Sequence, residues 1–202
     1  VKDINPGLNN SSNPMWLTKL GDKMIFSADD GENGRELWIT DNTEEGTTMI
    51  KDIHPGNNSS FPTGPMKEMG GFVYFSANDG THGWELWRTD GTEEGTNMVR
   101  DIREGENSSL SWGSTAHWHG EYTLVHNNHF YFSANDGESG QELWRTDGTE
   151  SGTELIVDVN AGEGGSWPWW FTTMGDKIYF TSWDGDQRQL WFYWDNPGPV
   201  IS

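Results

Sequence analysis

Residues 75–96 read FSANDGTHGWELWRTDGTEEGT, and this stretch decides the fold of the chain. Its two strand-like segments, at 75–77 and 85–87, are separated by the pair Asp79-Gly80, and a second Asp-Gly pair follows at 90–91. Glycine tolerates a positive φ angle, so each Asp-Gly pair favours a tight turn between antiparallel strands. The stretch therefore predicts a β-hairpin that continues through a second turn.

The same stretch recurs along the chain. FSADDGENGRELWITDNTEEGT occupies 26–47, FSANDGESGQELWRTDGTESGT occupies 132–153, and the divergent FTSWDGDQRQLWFYWDN occupies 180–196. The first residues of the four stretches are 49, 57 and 48 residues apart, at Phe26, Phe75, Phe132 and Phe180. A fixed period of this length indicates one supersecondary unit per repeat. Repeats 1 to 4 are assigned to residues 5–53, 54–102, 103–159 and 160–202 plus 1–4.

Each repeat has up to four candidate strands. Those of repeat 1 are Met15–Leu20, Lys23–Ala28, Arg35–Thr40 and Thr47–Ile53, whereas repeat 4 has only Trp169–Met174, Lys177–Ser182 and Arg188–Trp194. Four antiparallel strands repeated radially form the blades of a β-propeller. We therefore predict an all-β fold, a four-bladed β-propeller with four antiparallel strands per blade, as a single domain over residues 1–202.

The first residues of the chain correspond to the part of the repeat that is missing from its last copy. Val1–Ile4 reads VKDI and matches IKDI at Ile50–Ile53, the end of a fourth strand. Repeat 4 stops where its own fourth strand should begin. We expect the N-terminal strand to close the last blade, because closure removes an open edge that would invite aggregation.

The composition excludes several classes of partner. The chain has 202 residues, with 12 Lys and Arg against 32 Asp and Glu, and a formal net charge of −20. Such a surface repels phosphate, so nucleic acid and anionic membranes are poor partners. No apolar run approaches the roughly 20 residues that span a bilayer, so we expect no membrane insertion. The absence of Cys excludes disulfides.

The recurring ELWxTDGTxxGT, with FSAxDG before it and KDIxPGxxSS after it, resembles the bacterial ELWxxDGT repeat family. The resemblance covers nearly the whole chain and implies a secreted or surface-exposed, propeller-like repeat protein. It implies no defined activity and no catalytic residues. Repeat 4 departs from the pattern, since Gln189 replaces Glu and residues 192–196 replace the usual turn.

Aromatic residues outside the repeat register are the main candidates for a binding site. Trp38, Trp87, Trp144 and Trp191 recur in register and are predicted to lie in the blade cores. Six others fall outside the register, namely Trp112, Trp118, Trp167, Trp169, Trp170 and Trp183. Aromatic faces stack on sugar rings and flat apolar ligands, and neighbouring polar groups can bind hydroxyls. The alternative is that the tight centre of a four-bladed ring absorbs these side chains.

Histidines and glutamates are candidates for metal ligands. Repeat 3 is the longest and holds four of the six histidines, His117, His119, His126 and His129. On a strand, His117 and His119 would share a face, a spacing compatible with zinc or copper, although a loop with this composition is often only a loop. The recurring acids are Glu36, Glu85 and Glu142. They would need a cation if they faced a ring axis, and the favoured alternative is that each accepts hydrogen bonds from a neighbouring turn.

The oxygen-rich hairpin loops 29–34 and 135–140 leave bound calcium or magnesium open, although they lack the acid spacing of an EF-hand. Nucleophile elbow, P-loop and HExxH motifs are absent, so we expect no enzymatic activity. We expect a secreted, non-catalytic binding or adhesion module that is lectin-like and binds carbohydrate through the six out-of-register tryptophans. The alternatives are a binder of an apolar or pigment-like small molecule and a calcium-stabilised structural repeat protein. A homo-oligomer is also left open.

Overall fold

The computed structural model describes residues 2–110 and 122–194, and in that part of the chain the protein is all-β, as predicted. These two ranges contain fifteen strands and no α-helix, and so no helix within them is long and apolar enough to cross a membrane. The strands are β1 Met15–Leu20, β2 Lys23–Asp29, β3 Arg35–Thr40, β4 Thr48–Lys51, β5 Thr63–Met69, β6 Phe72–Asn78, β7 Trp84–Thr89, β8 Asn97–Arg100, β9 Thr123–His126, β10 His129–Asn135, β11 Gln141–Thr146, β12 Glu154–Val157, β13 Trp169–Met174, β14 Lys177–Trp183 and β15 Arg188–Trp194.

The strands form four antiparallel sheets, one for each repeat. Sheet 1 has the order β1-β2-β3-β4, sheet 2 has β5-β6-β7-β8 and sheet 3 has β9-β10-β11-β12, while sheet 4 has β13-β14-β15 in the described residues. Every strand pairs with its neighbour in sequence, so each sheet is a meander. Repeated four-stranded meanders are consistent with a propeller-like fold.

The registers of the four sheets match residue by residue. The marker phenylalanines pair across the sheets as Phe26 with Trp38, Phe75 with Trp87, Phe132 with Trp144 and Phe180 with Trp191. Directly paired residues share a face of the sheet. We call the side with these pairs the phenylalanine face. The opposite side carries Leu37, Leu86, Leu143 and Leu190, and we call it the leucine face.

The chain divides into two compact units, residues 1–117 and residues 118–202. In the first unit the leucine face of sheet 1 packs on the phenylalanine face of sheet 2, where Leu37 and Ile39 join Phe75 and Trp87 in one buried cluster. Removal of such large apolar side chains from water is the dominant favourable term in folding.

The second unit repeats this arrangement. Tyr131 and Leu143, on the leucine face of sheet 3, form a buried cluster with Ile178 and Phe180, on the phenylalanine face of sheet 4. In each unit, therefore, the leucine face of the first sheet packs on the phenylalanine face of the next. The prediction of a single domain over the whole chain stays a prediction.

The Asp-Gly pairs form the tight turns that the sequence predicts. Asp79 Oδ1 accepts hydrogen bonds from the backbone N–H groups of Thr81 (2.8 Å) and His82 (2.9 Å), and Gly80 has a φ angle of 85°. Asp90 Oδ1 accepts from the N–H (2.9 Å) and the hydroxyl (2.7 Å) of Thr92 in the next turn. Side-chain oxygens that mimic a backbone acceptor in this way fix the chain reversal.

The N-terminal segment differs from the prediction that it forms the fourth strand of the last blade. Residues 2–4 belong to no strand. Lys2 Nζ donates to the Thr47 carbonyl (3.4 Å), and Ile4 packs on Phe26 and Trp38 of sheet 1. The segment lies on the phenylalanine face of sheet 1 because its isoleucine covers part of that apolar face.

Candidate functional site

The recurring glutamates are buried and bind the connection to the next repeat. Glu85 accepts hydrogen bonds from the backbone N–H of Ser109 (2.8 Å), from the Ser109 hydroxyl and from the Ile102 N–H (3.2 Å). Glu36 makes the same three bonds with Ser60 and Ile53. Each glutamate therefore ties the third strand of its sheet to the segment that leads to the next sheet, which is the hydrogen-bonding alternative left open by the sequence.

Burial sets the protonation behaviour of these glutamates. It raises the pKa of Glu36 and of Glu85 to about 7, although hydrogen bonds from the serine and isoleucine partners oppose the shift. The charges of Asp52 and Asp101 add to the increase. Such carboxyl groups take up a proton near neutral pH, because their charged form has lost its hydration.

Repeats 3 and 4 depart from this pattern. Glu142 accepts from the Val159 N–H (3.1 Å) and the Ser166 hydroxyl, but the Ser166 N–H bonds to the Gln141 carbonyl (2.9 Å) instead. Glu142 Oε1 is consequently buried without a hydrogen-bond partner, and burial raises the pKa of Glu142. Gln189, at the fourth equivalent position, is exposed and donates to Asp184 (2.7 Å).

The oxygen-rich hairpin loops use their carboxylates within the loop. Asp30 Oδ1 accepts from the Glu32 and Asn33 N–H groups (2.9 and 2.8 Å), and its Oδ2 accepts from the Asn33 side chain (2.7 Å). These bonds lower the pKa of Asp30 against the effect of burial, which raises it. In the described ranges, no group of three or more His, Asp or Glu residues is arranged to hold a metal ion. Calcium or magnesium binding stays a prediction.

Two of the four repeat-3 histidines lie side by side. His126 and His129 are direct partners in the hairpin of β9 and β10, where the turn residues Asn127 and Asn128 have positive φ angles. His126 Nε2 is buried without a hydrogen-bond partner, and His129 Nδ1 lies 3.0 Å from the Asn127 carbonyl. The other two, His117 and His119, lie outside the described residues.

The in-register tryptophans are core residues, as predicted. Trp38, Trp87 and Trp144 are buried on the phenylalanine faces, and Trp191 is half-buried in sheet 4. Trp87 belongs to the buried cluster that joins sheets 1 and 2, and Trp191 packs against the cluster that joins sheets 3 and 4. They are therefore part of the scaffold.

Four of the six out-of-register tryptophans lie together at one end of sheet 4, and we call them the tryptophan surface: Trp167, Trp169, Trp170 and Trp183. Trp169 pairs with Thr181 across β13 and β14, and the Trp183 N–H donates to the carbonyl of Ser166 (2.7 Å), next to Trp167. Trp112 and Trp118 lie outside the described residues. The structure thus brings together the members of the predicted set that it describes.

Three side chains of the tryptophan surface face solvent. Trp167 is 44% exposed, Trp170 is 56% exposed and Trp183 is 39% exposed. Their indole N–H groups make no hydrogen bond within the described part of the chain. The exposed indole rings and their N–H groups are suited to a ligand that has both an apolar face and hydroxyl groups.

Trp169 is held in place beneath this surface. The Arg188 guanidinium lies 4.6 Å from the centre of the Trp169 ring, and Tyr122 meets the same ring edge-on at 5.7 Å. Arg188 also donates to the Trp167 carbonyl (3.2 Å). Sequence reasoning missed Tyr122 and Arg188. The sequence did contain a signal for Arg188, because repeat 1 also has an arginine, Arg35, at the equivalent position. Arg35 donates to the Asn13 carbonyl in the same way (2.8 Å).

Most equivalent positions in the other sheets hold residues other than tryptophan, although sheet 1 also has a tryptophan, Trp16, at the Trp170 position. Trp183 occupies the position of Asp29, Asn78 and Asn135, and Trp170 occupies that of Trp16 and Gly64, by the matching registers. Trp167 corresponds to Phe61, since both N–H groups donate to the first residue of the third strand of the preceding sheet. The scaffold therefore does not require tryptophan at these positions.

The backbone under the surface is strained. Trp167 has a φ angle of 52° and Trp170 a φ angle of 61°, a region that large side chains rarely adopt. Gly64 occupies the Trp170 position in sheet 2, with a φ angle of 97°. Strain of this kind costs about 1–3 kcal/mol and is concentrated at functional sites.

No protein-family model and no curated protein matches the chain. Among solved structures, a puromycin hydrolase mutant complexed with PGG is 16% identical over 91% of this chain and 27% of its own, with a TM-score of 0.53. A further puromycin hydrolase structure is 20% identical over 84% of this chain and 24% of its own, with a TM-score of 0.46. An α-L-arabinofuranosidase from Clostridium thermocellum is 13% identical over 85% of this chain and 60% of its own, with a TM-score of 0.29.

The chain thus spans about a quarter of the length of the puromycin hydrolase chains that it matches. The likeness with a TM-score above 0.5 shows the fold alone at 16% identity. Together with the four meander sheets, it defines the class of protein: an all-β repeat protein with a propeller-like fold.

Proposed function

We propose that the chain is a secreted, non-catalytic binding module that holds carbohydrate on the tryptophan surface. The single observation that carries the proposal is the exposure of Trp167, Trp170 and Trp183 at one end of sheet 4. Sugar rings offer C–H faces that stack on indoles, and hydroxyls that accept from indole N–H groups. The four sheets are then the blades of a propeller, and the ligand lies on strand residues at one end of the fourth blade.

The exposure of Trp170 supports a role in binding. Trp16, at the equivalent position of sheet 1, has a similar φ angle (58°) but packs against the core, whereas Trp170 is exposed and sheet 2 shows that glycine fits its position. Polar groups for hydroxyls are near, since Arg188 pairs with Trp183 and Asp184 follows it directly. The site therefore combines stacking area with donors and acceptors.

The test uses substitutions that the repeats themselves supply. Trp170→Gly and Trp183→Asn introduce the residues found at the equivalent positions of sheet 2, so both variants are expected to fold. A glycan array in calcium-containing buffer identifies a ligand, and tryptophan fluorescence titration measures its affinity. Each variant is expected to lose about tenfold in affinity, which corresponds to about 1.4 kcal/mol of stacking.

Phe61→Ala is the matched control, because Phe61 is an exposed aromatic residue at the Trp167 position of sheet 2. It should leave the affinity unchanged. No response to any glycan, or equal affinities for the wild type and the Trp170→Gly/Trp183→Asn double variant, would contradict the proposal. Trp170→Gly is also expected to unfold at the same temperature as the wild type or higher, since it relieves backbone strain.

A further inference from the structure

One arginine lies at the tryptophan surface. Arg188, the first residue of β15, is the direct cross-strand partner of Trp183. Its guanidinium lies 4.6 Å from the centre of the Trp169 ring, and one of its N–H groups donates to the Trp167 carbonyl (3.2 Å). The guanidinium is therefore held beside three of the four tryptophans that define the surface.

The equivalent arginine of repeat 1 has an acidic cross-strand partner. Arg35 pairs with Asp29 across β2 and β3, and it donates to the Asn13 carbonyl as Arg188 donates to that of Trp167. Burial lowers the pKa of Arg35, and the charge of Asp29 opposes that shift. In repeat 1 the scaffold thus places a carboxylate opposite an arginine at this end of the sheet.

Repeat 4 keeps the arginine and replaces the acid. Trp183 stands at the position of Asp29, opposite Arg188. The other two sheets have uncharged residues at both positions, namely Asn78, Trp84, Asn135 and Gln141. An arginine at this end of a sheet therefore has a carboxylate opposite it in sheet 1 and an exposed indole opposite it in sheet 4.

This end of a sheet stays accessible when the rest of its face is packed. In the first unit the leucine face of sheet 1 packs on sheet 2, yet Asp29 and Arg35 on that face are only half-buried. In sheet 4, Trp183 is 39% exposed and Arg188 is exposed. A ligand can therefore reach the pair of Trp183 and Arg188 without an open leucine face.

Donors predominate among the polar groups of the surface. A guanidinium carries five N–H groups and an indole carries one. Asp184, which follows Trp183, is bonded within its own turn: Oδ1 accepts from the Asp186 and Gln187 N–H groups (3.0 and 2.8 Å), and Oδ2 accepts from the Gln189 side chain (2.7 Å). Donors around a positive charge suit an anion, and the planar guanidinium binds a carboxylate through two parallel hydrogen bonds.

We propose that the carbohydrate bound at the tryptophan surface is acidic, a uronic acid residue whose carboxylate pairs with Arg188 while sugar rings stack on the exposed indoles. This inference rests on the proposed function and adds the class of sugar to it. The carboxylate of the ligand corresponds to that of Asp29 opposite Arg35 in repeat 1. Arg188 is then the residue that determines specificity.

The net charge of −20 does not prevent this contact. At about 0.15 M ionic strength, exposed charges that are more than about 8 Å apart are largely screened from each other. The guanidinium and the carboxylate are in direct contact, and charge-assisted hydrogen bonds are roughly twice as strong as neutral ones. One sugar carboxylate is therefore attracted locally, whereas the closely spaced phosphates of a nucleic acid meet the whole acidic surface.

Matched acids and esters test the class of sugar. Trisaccharides of galacturonate, glucuronate and mannuronate are compared with their methyl esters, which keep the ring and the carbonyl but remove the charge. Tryptophan fluorescence titration at about 0.15 M salt should give an affinity about tenfold or more higher for the acid than for its ester. The ratio of the two affinities should fall at about 1 M salt, because salt screens the charge pair.

Variants taken from other repeats locate the carboxylate. Arg188→Gln introduces the residue that sheet 3 has at this position, and it should lower the ratio of acid to ester affinity to about one. Trp183→Asn and Trp183→Asp both remove one indole, but only the aspartate restores the pair of repeat 1 opposite Arg188. The ratio should therefore persist in Trp183→Asn and disappear in Trp183→Asp.

The ratio separates recognition of the carboxylate from a structural role of Arg188. Loss of support for Trp169 and Trp167 alone would weaken the acid and the ester equally. Equal affinities of the wild type for acid and ester, or an unchanged ratio in Arg188→Gln, would overturn this inference and leave carbohydrate binding by the tryptophans standing. No response to any glycan, acidic or neutral, would instead refute the proposed function, and this inference with it.

Discussion

The buried Glu85 should make the stability of the protein depend on pH, and Glu85→Gln should remove the contribution of this residue to that dependence. The side chain is fully buried, and burial raises its pKa from 4.5 to about 7. Because the folded protein then binds the proton more tightly than the unfolded chain, this group stabilises the fold most below pH 4.5 and loses that contribution as the pH rises through 7.

The magnitude follows from the two pKa values. A tenfold change in proton affinity corresponds to about 1.4 kcal/mol, so the shift from 4.5 to about 7 corresponds to about 3 kcal/mol. Glutamine carries no charge at any pH. The two carboxylate oxygens of Glu85 accept from the Ser109 N–H and the Ile102 N–H, respectively, whereas a glutamine side chain has only one oxygen acceptor. One of the two N–H groups therefore loses its partner in Glu85→Gln, which costs about 1–3 kcal/mol at every pH. The wild type should therefore be the more stable protein in acid, and its advantage should shrink by about 3 kcal/mol towards about pH 8.

Urea unfolding followed by circular dichroism at about pH 4.5 and about pH 8 measures the difference in free energy of unfolding between the wild type and Glu85→Gln. Glu93→Gln is the matched control, because Glu93 is exposed in the turn of the same repeat. Its difference from the wild type gives the background of a Glu→Gln change at an exposed position. If the difference between the wild type and Glu85→Gln were the same at both pH values, the buried carboxyl would not be the source of the pH dependence.

Two further predictions concern the scaffold. Gly34 and Gly56 both have positive φ angles, but a Cβ on Gly34 would collide with the Asn58 carbonyl while a Cβ on Gly56 meets nothing. Thermal unfolding should therefore show Gly34→Ala to be less stable than Gly56→Ala by about 1–3 kcal/mol, and equal losses would argue against the close approach. Thr96→Val should cost about 1–3 kcal/mol, because the buried Thr96 hydroxyl bonds to the Thr89 hydroxyl (2.7 Å) and the Thr92 carbonyl (2.6 Å). A loss below about 0.5 kcal/mol in the same measurement would contradict this bond network.

The strands were predictable because local signals define them. Apolar residues of the repeat alternate between faces, and each Asp-Gly pair ends a strand, so Arg35–Thr40 and Trp169–Met174 have the predicted bounds. The burial of the in-register tryptophans followed from the same register. The all-β fold was therefore readable from the repeat alone.

The partners of the buried glutamates were not predictable in the same way. Glu85 bonds to Ser109, 24 residues further on, and only the packing of successive sheets brings the two together. The strained backbone at Trp170 was equally hidden, because the propensity of tryptophan favours an ordinary strand conformation. Non-local contacts and strain depend on tertiary structure, whereas turn and strand signals are local.

Repeat 4 differs from the others at two kinds of position, and the difference argues against a role as a simple terminal cap. Terminal repeats of solenoids need a polar outer face for solubility. The third strand of repeat 4 instead presents Leu190, Phe192 and Trp194, and Trp194 stands where the other repeats have the turn aspartates Asp41, Asp90 and Asp147. An apolar substitution at a position that is polar in every other repeat favours a face that is built to be covered. The position of Trp167 is also exposed in sheet 2, at Phe61, whereas the position of Trp170 is occupied there by the buried Gly64. Trp170 is 56% exposed in sheet 4, so the divergence of repeat 4 adds an aromatic side chain that is available to a ligand.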